Sequence, residues 1–290
     1  MIVFENGEEI DFLAASGALG LDGSGWWWEN PLRWLRILRP EEFTIITKTL
    51  TYRPYKGNLN MWKPWQICRF VPGGSVNSVG LTNPGIFWWM EFCYPEMVRK
   101  NLKFIPSVWP NSPKEAKEMA KLLDKLPGIT AIELNISCPN MEAKSEHSKI
   151  IGHLRDNTSH PIIMKLGWSH PIEEICEKWG GDIQAFDVIN AVPWHVVYSK
   201  KPSPLAKYNL IGGVSGSPIK AYSRVALKRA MNSTDTPIIS GGGIDSYDEA
   251  CHRFNEGADA VSIGVLFLRS PWLPNIIASK YRKNQLAVGK

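Results

Sequence analysis

The group in this sequence best suited to acid–base chemistry is a cysteine flanked by asparagines. The segment Asn135-Ile136-Ser137-Cys138-Pro139-Asn140 follows a predicted strand and places a thiol between two side-chain amides. Positive charge nearby would favour the thiolate, which could then act as a base. A lone cysteine is more often a small buried apolar residue. Its place at a polar strand end favours chemistry here, and the other four cysteines lack such a setting.

Polar side chains also end other predicted strands. Strict alternation directs Glu133 and Asn135 inward, and the same pattern places Lys48, Lys165 and Asn190 at the ends of three further strands. Taken singly, each lysine could reach solvent from a frayed strand end. Burying two ammonium groups and two amides together is costly without a polar or anionic ligand, so the set predicts a ligand site.

Glycines near the end of the chain indicate a phosphate site. Gly241-Gly242-Gly243 lies between a predicted strand and a capped helix, and the next predicted strand ends at Gly264. Exposed backbone N–H groups there would cradle phosphate at the usual place in a barrel. A tight turn that requires positive φ is the alternative for any single glycine. A third glycine-rich segment, 211–216, could let the backbone approach a flat cofactor.

Short apolar runs alternate with amphipathic helices along the whole chain. This order predicts βαβ units and a parallel sheet, and therefore an α/β fold, the (β/α)8 TIM barrel, with its active site at the C-terminal strand ends. We expect one domain over residues 1–290, with an N-terminal hairpin and inserted loops at the C-terminal face, including 52–74. The predicted strands are 12–15, 44–49, 104–108, 129–135, 161–166, 185–190, 237–240 and 260–263.

Two of the helices carry capping-box signals. Ser112 with Glu115 predicts one helix start, and Ser246 with Glu249 predicts another. Each should then bury one apolar stripe. The stripe predicted for the first helix is Ala116, Met119, Ala120 and Leu123, and that for the second is Tyr247, Ala250, Cys251 and Phe254.

Composition excludes several classes of protein. Of 290 residues, 33 are Lys or Arg and 28 are Asp or Glu, and a net charge of +5 does not indicate a nucleic-acid partner. No apolar run is long enough to cross a membrane, and the polar start lacks a signal-peptide pattern. Five dispersed cysteines are typical of reduced thiols in the cytoplasm. The absence of clustered Cys and His argues against a metal site.

The segment 133–140 resembles the active-site segment of class 1 dihydroorotate dehydrogenases. Further matching segments occur in the family's order, so the resemblance spans roughly residues 11 to 270. It implies an FMN-bound barrel that oxidises dihydroorotate to orotate in pyrimidine (UMP) biosynthesis. The further segments are 15–17, 47–49, 57–58, 77–85, Lys165, Asn190, 212–216, 242–244 and Gly264.

The resemblance also implies roles for individual residues. Cys138 would be the base that removes the C5 proton of the substrate, Lys48 would lie by substrate and flavin, and Lys165 would favour the anionic reduced flavin. The implied substrate residues are Lys48, Asn77, Val79, Gly80, Leu81, Asn135, Asn140, Asn190 and Ala191. The implied cofactor residues are Ala15, Ser16, Gly17, Lys48, Thr49, Asn135, Lys165, Gly213, Ser215, Gly216, Gly242, Gly243, Gly264 and Val265.

Departures from the family pattern bear on substrate and electron acceptor. Ala191 replaces a common Ser or Thr, Val265 replaces a common Thr, and 141–148 lacks the usual glycines. Cysteine at 138 indicates class 1, whose members use fumarate as homodimers, or NAD through an iron–sulfur/FAD partner subunit. The stretch 80–85 is closer to the partner-using branch. We expect a homodimer, with such a subunit as an additional partner.

Two alternatives use the same residues differently. Another FMN barrel oxidoreductase could act on a different pyrimidine, such as uracil, which lacks the carboxylate of dihydroorotate. A flavin-free phosphate-binding barrel would use the glycine segments alone, because a barrel fold does not fix function.

Overall fold

The computed structural model describes residues 1–60, 62–137 and 144–288. Strands and helices alternate in these ranges, with short 3-10 turns at 27–29, 40–42, 64–66, 206–208 and 217–219. The strands are β1 Ile2–Val3, β2 Glu9–Ile10, β3 Phe12–Ala14, β4 Thr44–Ile46, β5 Cys68–Val71, β6 Gly74–Asn77, β7 Phe104–Ile105, β8 Ser107–Val108, β9 Ile132–Asn135, β10 Ile162–Leu166, β11 Ala185–Val188, β12 Val192–Pro193, β13 Gly213–Gly216, β14 Ile238–Gly241 and β15 Ala260–Ile263. The helices are α1 Asn30–Trp34, α2 Ile86–Phe92, α3 Tyr94–Arg99, α4 Pro113–Asp124, α5 Lys144–Arg155, α6 Ile172–Trp179, α7 Trp194–Val197, α8 Lys220–Met231, α9 Tyr247–Asn255, α10 Val265–Arg269 and α11 Leu273–Val288.

The main sheet is a closed parallel barrel. Its strand order is β7-β4-β3-β15-β14-β11-β10-β9-β8, and every pairing is parallel. The two edge strands, β7 and β8, are separated only by Pro106, whose nitrogen cannot donate to a ladder. They therefore act as one barrel position that joins β4 to β9. The predicted (β/α)8 barrel is confirmed, and the predicted single strand 104–108 is divided at this proline.

Successive side chains along a barrel strand belong to two different hydrophobic clusters, one between the sheet and the helices and one inside the barrel. Ile132 and Leu134 belong to the larger cluster against the helices, whereas Ala131 belongs to the cluster inside the barrel. This confirms the inward and outward faces predicted for that strand. The inner cluster also contains Ile2 and Ile10, because the predicted N-terminal hairpin of β1 and β2 packs into the barrel.

Several strands are shorter than predicted at their polar ends. The strand predicted over 44–49 ends at Ile46, and the one predicted over 185–190 ends at Val188. Lys48, Thr49 and Asn190 thus lie just beyond the ladder. The side chains of Thr49 and Asn190 bond to other side chains around the barrel mouth.

An antiparallel sheet at the C-terminal face comes from two predicted irregular regions. Its order is β12-β13-β6-β5, and the hairpin of β5 and β6 occupies the end of the predicted insertion. Within the segment 211–216, predicted as a glycine-rich loop, residues 213–216 form β13 instead. It pairs with β6 on one side and β12 on the other, so its glycines allow close strand approach.

The two predicted helix starts are correct, but their capping boxes are only half formed. The hydroxyls of Ser112 and Ser246 accept from the N–H groups of Glu115 and Glu249, each at 3.2 Å. The two glutamate carboxylates bond elsewhere: that of Glu115 accepts from the backbone N–H of Asn111, and that of Glu249 enters ion pairs with arginines.

The buried stripe predicted for α9 is wrong in composition. Its most buried residues are Glu249, Ala250 and Arg253, whereas Tyr247, Cys251 and Phe254 are only partly buried. The ion pair between Glu249 and Arg253 explains the difference, since neutralised charges one helical turn apart can enter a core together. The stripe predicted for α4 is fully buried, as expected.

The two ends of the described chain are held together. Arg282 on α11 forms a bidentate pair with Asp11, with both N···O distances 2.7 Å. Within the described ranges, no helix combines the length and apolar composition that crossing a bilayer requires.

Candidate active site

A chain of side-chain hydrogen bonds crosses the C-terminal mouth of the barrel. Asn190 Nδ2 donates to Ser137 Oγ at 2.7 Å, and that hydroxyl donates to Asn135 Oδ1 at 2.5 Å. Asn135 Nδ2 then donates to Thr49 Oγ1 at 2.9 Å. Three predicted site residues, Asn190, Asn135 and Thr49, are therefore joined through a serine that the sequence analysis did not single out.

Thr49 is the hub of this network. Its hydroxyl lies 2.9 Å from Ser107 Oγ and 3.2 Å from Ser16 Oγ. Ser16 also donates to the carbonyl of Thr47 at 2.8 Å. The loops after β3 and β4 and the strands β8 and β9 are thus tied into one polar surface, with every bond made by a hydroxyl or an amide.

Lys48 stands beside this network without a counter-charge. No hydrogen bond or ion pair to its ammonium occurs among the described residues, and burial lowers its pKa to about 8. Gly17 packs against it: a Cβ atom added there would lie 3.6 Å from Lys48 Cβ. A partly desolvated cation with no acidic partner is suited to an anionic ligand.

Lys165, in contrast, is fully engaged inside the barrel. Its Nζ lies 2.8 Å from Asp187 Oδ2 and 3.5 Å from Glu133 Oε2, and all three side chains are almost completely buried. Burial alone would lower the pKa of the Lys165 ammonium, but the charges of Asp187 and Glu133 outweigh burial and raise it. Its charge is therefore already balanced by the protein.

The three groups carry one more carboxylate than ammonium. Burial raises the pKa of the Glu133 carboxyl, and the charge of Asp187 adds to that rise, while Lys165 opposes it. A proton held by Glu133 would neutralise the cluster. Sequence alternation placed Glu133 inward, and the same period-two pattern on β11 could have found Asp187, since Ala185 lies in the inner core and Phe186 in the outer one.

The glycine turn after β14 presents unpaired backbone donors. Gly242 and Gly243 have φ of +83° and +81°. Their N–H groups bond to no acceptor among the described residues, although Gly243 is buried. A Cβ atom at Gly243 would lie 2.8 Å from Lys220 Cα. Buried unpaired N–H groups are rare in proteins, and successive ones form an anion-binding concavity, so this turn fits a phosphate group.

Other predicted cofactor residues lie close to one another. Ala15 faces Gly264, because a Cβ atom added to the glycine would lie 3.4 Å from that of Ala15. Likewise, a Cβ atom at Gly216 would lie 3.0 Å from Val265 Cγ1. Small residues thus line the junction of β3, β13 and β15, and leave room for a flat ligand.

The antiparallel sheet brings predicted substrate and cofactor residues together. Asn77 pairs with Gly213 in the register of β6 and β13. Ala191, where a hydroxyl is usual in the family, packs so closely on Gly213 that a Cβ atom at the glycine would lie 2.8 Å from its methyl group. Ser215, another predicted cofactor residue, pairs with Ser75.

The predicted substrate loop 79–81 is fixed to the preceding insertion. Asn58 N donates to the carbonyl of Val79 at 3.1 Å, and Thr82 Oγ1 donates to the same carbonyl at 3.0 Å. Gly80 has φ of +68°, and Leu81 is buried. No hydrogen bond between described residues joins this loop to the Thr49 network. Cys138 and Asn140 lie outside the described residues, so their roles stay predictions.

Comparison with known proteins identifies the family. The model of the family "Dihydroorotate dehydrogenase" matches residues 34–283. The catalytic subunit of the Desulforudis audaxviator dihydroorotate dehydrogenase B (NAD(+)) is 30% identical over 247 residues, 81% of this chain and 78% of its own. The chain belongs to the dihydroorotate dehydrogenase family. Enzymes of this family are in general flavin-dependent.

Other relatives within the family differ in their named electron acceptors. The Aeropyrum pernix putative dihydroorotate dehydrogenase A (fumarate) is 29% identical over 235 residues, covering 77% of this chain and 74% of its own. The crystal structure of Eimeria tenella DHODH in complex with ferulenol superposes with a TM-score of 0.70 over 99% of this chain and 85% of that one. At 16% identity, the latter comparison supports the barrel fold alone.

Proposed function

We propose that this protein oxidises dihydroorotate to orotate with FMN as its cofactor. Family membership supports the reaction. The observation that carries it in this chain is Lys48, a cation next to the Thr49 network that has no acidic partner within the described ranges. The substrate bears a carboxylate and ring amide groups, which need a cation and paired donors and acceptors. A flavin-free phosphate-binding barrel would leave both features without a ligand.

The donor set also fits the phosphate-bearing cofactor. The unpaired N–H groups of Gly242 and Gly243 would hold the phosphate, and Ala15, Gly216 and Gly264 would leave space for the flavin. Bound FMN would supply a hydride acceptor.

The side chains have separate tasks in this proposal. Lys48 would bind the substrate carboxylate, because it has no acidic partner among the residues that the structure describes. Asn135 and Asn190 would orient the ring. The Ser137 hydroxyl between them bonds to both amides, and the Thr49 hydroxyl accepts from Asn135. Cys138 would take the C5 proton, since it follows this network directly in the sequence.

The acceptor that we propose is NAD, reached through a partner subunit. Support comes from the relatives named as catalytic subunits of NAD(+)-dependent enzymes and from the stretch 80–85. We propose that residues 1–290 form one FMN-binding domain, supported by the pair between Asp11 and Arg282 that joins its two ends.

An anaerobic titration tests the proposed reaction. The visible spectrum of the purified protein should be that of oxidised flavin, and addition of dihydroorotate should bleach it. A flavin spectrum that stays oxidised would move the substrate to another compound, with Ala191 the first residue to restore to serine. Failure to bind FMN even when it is added would contradict the proposal as a whole.

A further inference from the structure

Helix α9 buries an arginine directly behind the glycine turn. Arg253 has no solvent exposure, and its Nε donates to Glu249 at 2.7 Å. Its Nη1 donates to the hydroxyls of Ser223 at 2.6 Å and Ser240 at 2.9 Å, and its Nη2 donates to the carbonyl of Gly242 at 3.0 Å. A buried arginine needs one counter-charge, and the additional bonds all go to the turn and its supports.

These bonds fix the direction of the unpaired N–H groups. In a planar trans peptide the C=O and the N–H point to opposite sides. Since the carbonyl of Gly242 faces Arg253, the N–H of Gly243 points away from the arginine. Ser223 donates to the carbonyl of Gly241 in the same way, so the N–H of Gly242 points away from Ser223.

Nearby side-chain charges are already paired. Lys220 Nζ lies 2.7 Å from Asp245, and Arg224 Nη2 lies 2.6 Å from Glu249, which Arg253 shares. The backbone N–H groups of the turn are therefore the donors that a phosphate would meet here, and their orientation decides how well it binds.

We propose that Arg253 is a positioning residue for cofactor phosphate: by holding the Gly242 carbonyl, it aims the turn's N–H groups at the phosphate without touching the cofactor. This inference rests on the proposed function, because it takes FMN as the ligand. It gives this buried charge a role beyond its ion pair with Glu249.

The test compares FMN with riboflavin, which lacks the phosphate. Each is titrated into the flavin-free full-length protein, and binding is followed by quenching of flavin fluorescence. Arg253→Met should weaken FMN binding by about 10- to 100-fold, the worth of hydrogen bonds to a charged group, and leave riboflavin binding within about twofold. Arg224→Met is the matched control, because it also removes a partner of Glu249 but does not touch the turn; both affinities should stay unchanged.

A second variant covers the case in which Arg253→Met does not fold. Ser223→Ala removes the donor to the Gly241 carbonyl and should weaken FMN by about 3- to 10-fold, the worth of one neutral hydrogen bond, again without affecting riboflavin. A variant that loses affinity equally for both flavins, or that loses none for FMN, would overturn the inference. The proposed function would still stand in that case, provided that the wild-type protein binds FMN. Wild-type protein that binds neither flavin would overturn both.

Discussion

Lys48 and Lys165 belong to the same barrel but have opposite surroundings. Lys165 lies within the sheet, between two carboxylates that raise its pKa, whereas Lys48 lies just beyond its strand, where burial lowers the pKa to about 8. A cation that the protein neutralises contributes to the fold. A cation with no acidic partner among the described residues, such as Lys48, can attract a ligand, at a cost to stability. The difference suggests that the substrate carboxylate supplies the counter-charge for Lys48.

The largest effect should come from Cys138, the predicted base. We expect Cys138→Ser to slow flavin reduction by dihydroorotate about 10²- to 10⁴-fold at neutral pH, since a serine hydroxyl ionises far less readily than a cysteine thiol and is therefore a poorer base there. Flavin content and the free energy of unfolding should be unchanged. Single-turnover stopped-flow measures the rate, and an unaltered rate would mean that another group takes the proton.

The two lysines should differ in their effects on stability. Lys165→Met leaves the carboxylates of Glu133 and Asp187 buried without their cation, so the free energy of unfolding should fall by about 3–5 kcal/mol at pH 7. Lys48→Met, the matched control, removes a desolvated charge and should change it by less than about 1 kcal/mol, or raise it. Urea unfolding of the flavin-free proteins measures both values.

The pH dependence of the Lys165→Met defect gives a check on its cause. Without the ammonium, the pKa of the Glu133 carboxyl, which burial already raises, would rise further in the folded protein. Such a group takes up a proton on folding, so the loss of stability should be largest at pH 7 and should shrink as the pH falls toward 5. A defect that does not change with pH would indicate lost packing instead.

A smaller effect is expected in orotate binding. The Lys48 ammonium is charged below its pKa of about 8, and a bound carboxylate should keep it charged. Orotate affinity should therefore be constant below pH 8 and fall up to about tenfold per pH unit above it. Above pH 8 the protein must take up one proton on Lys48 when it binds orotate. In Lys48→Met this dependence should disappear. Isothermal titration over the pH range provides the measurement, and a flat wild-type profile would contradict the role of Lys48.

The sequence predicts the barrel well because short apolar runs alternate with amphipathic helices along the chain. The inward direction of Glu133 and the polar strand ends at Lys48, Asn135 and Asn190 follow from the period-two alternation within the strands. The predicted strands 44–49 and 185–190 extend too far, to residues beyond Ile46 and Val188, because residue propensity does not reveal where strand pairing ends. The prediction of a loop over 211–216 is wrong for 213–216. These residues pair with β6, which is far away in the sequence, so local composition does not reveal the strand.

Buried charge was the feature hardest to predict. Arg253 looks like an ordinary surface residue in sequence, and only its spacing of four from Glu249 hints at a pair. The acceptors that hold it, among them Ser223 and Gly242, come from other elements of the fold. The pairing of Lys165 with Asp187 likewise depends on the register of β10 and β11.

The most direct test of the account compares two substrates that differ in the carboxylate. Anaerobic stopped-flow should show that dihydroorotate reduces the flavin of the wild-type protein at least about 10- to 100-fold more efficiently than dihydrouracil, the worth of a charge-assisted hydrogen bond. In Lys48→Met this preference should largely vanish. A wild-type protein that reacts equally with both compounds, or a preference that survives in Lys48→Met, would contradict the claim that Lys48 binds the substrate carboxylate.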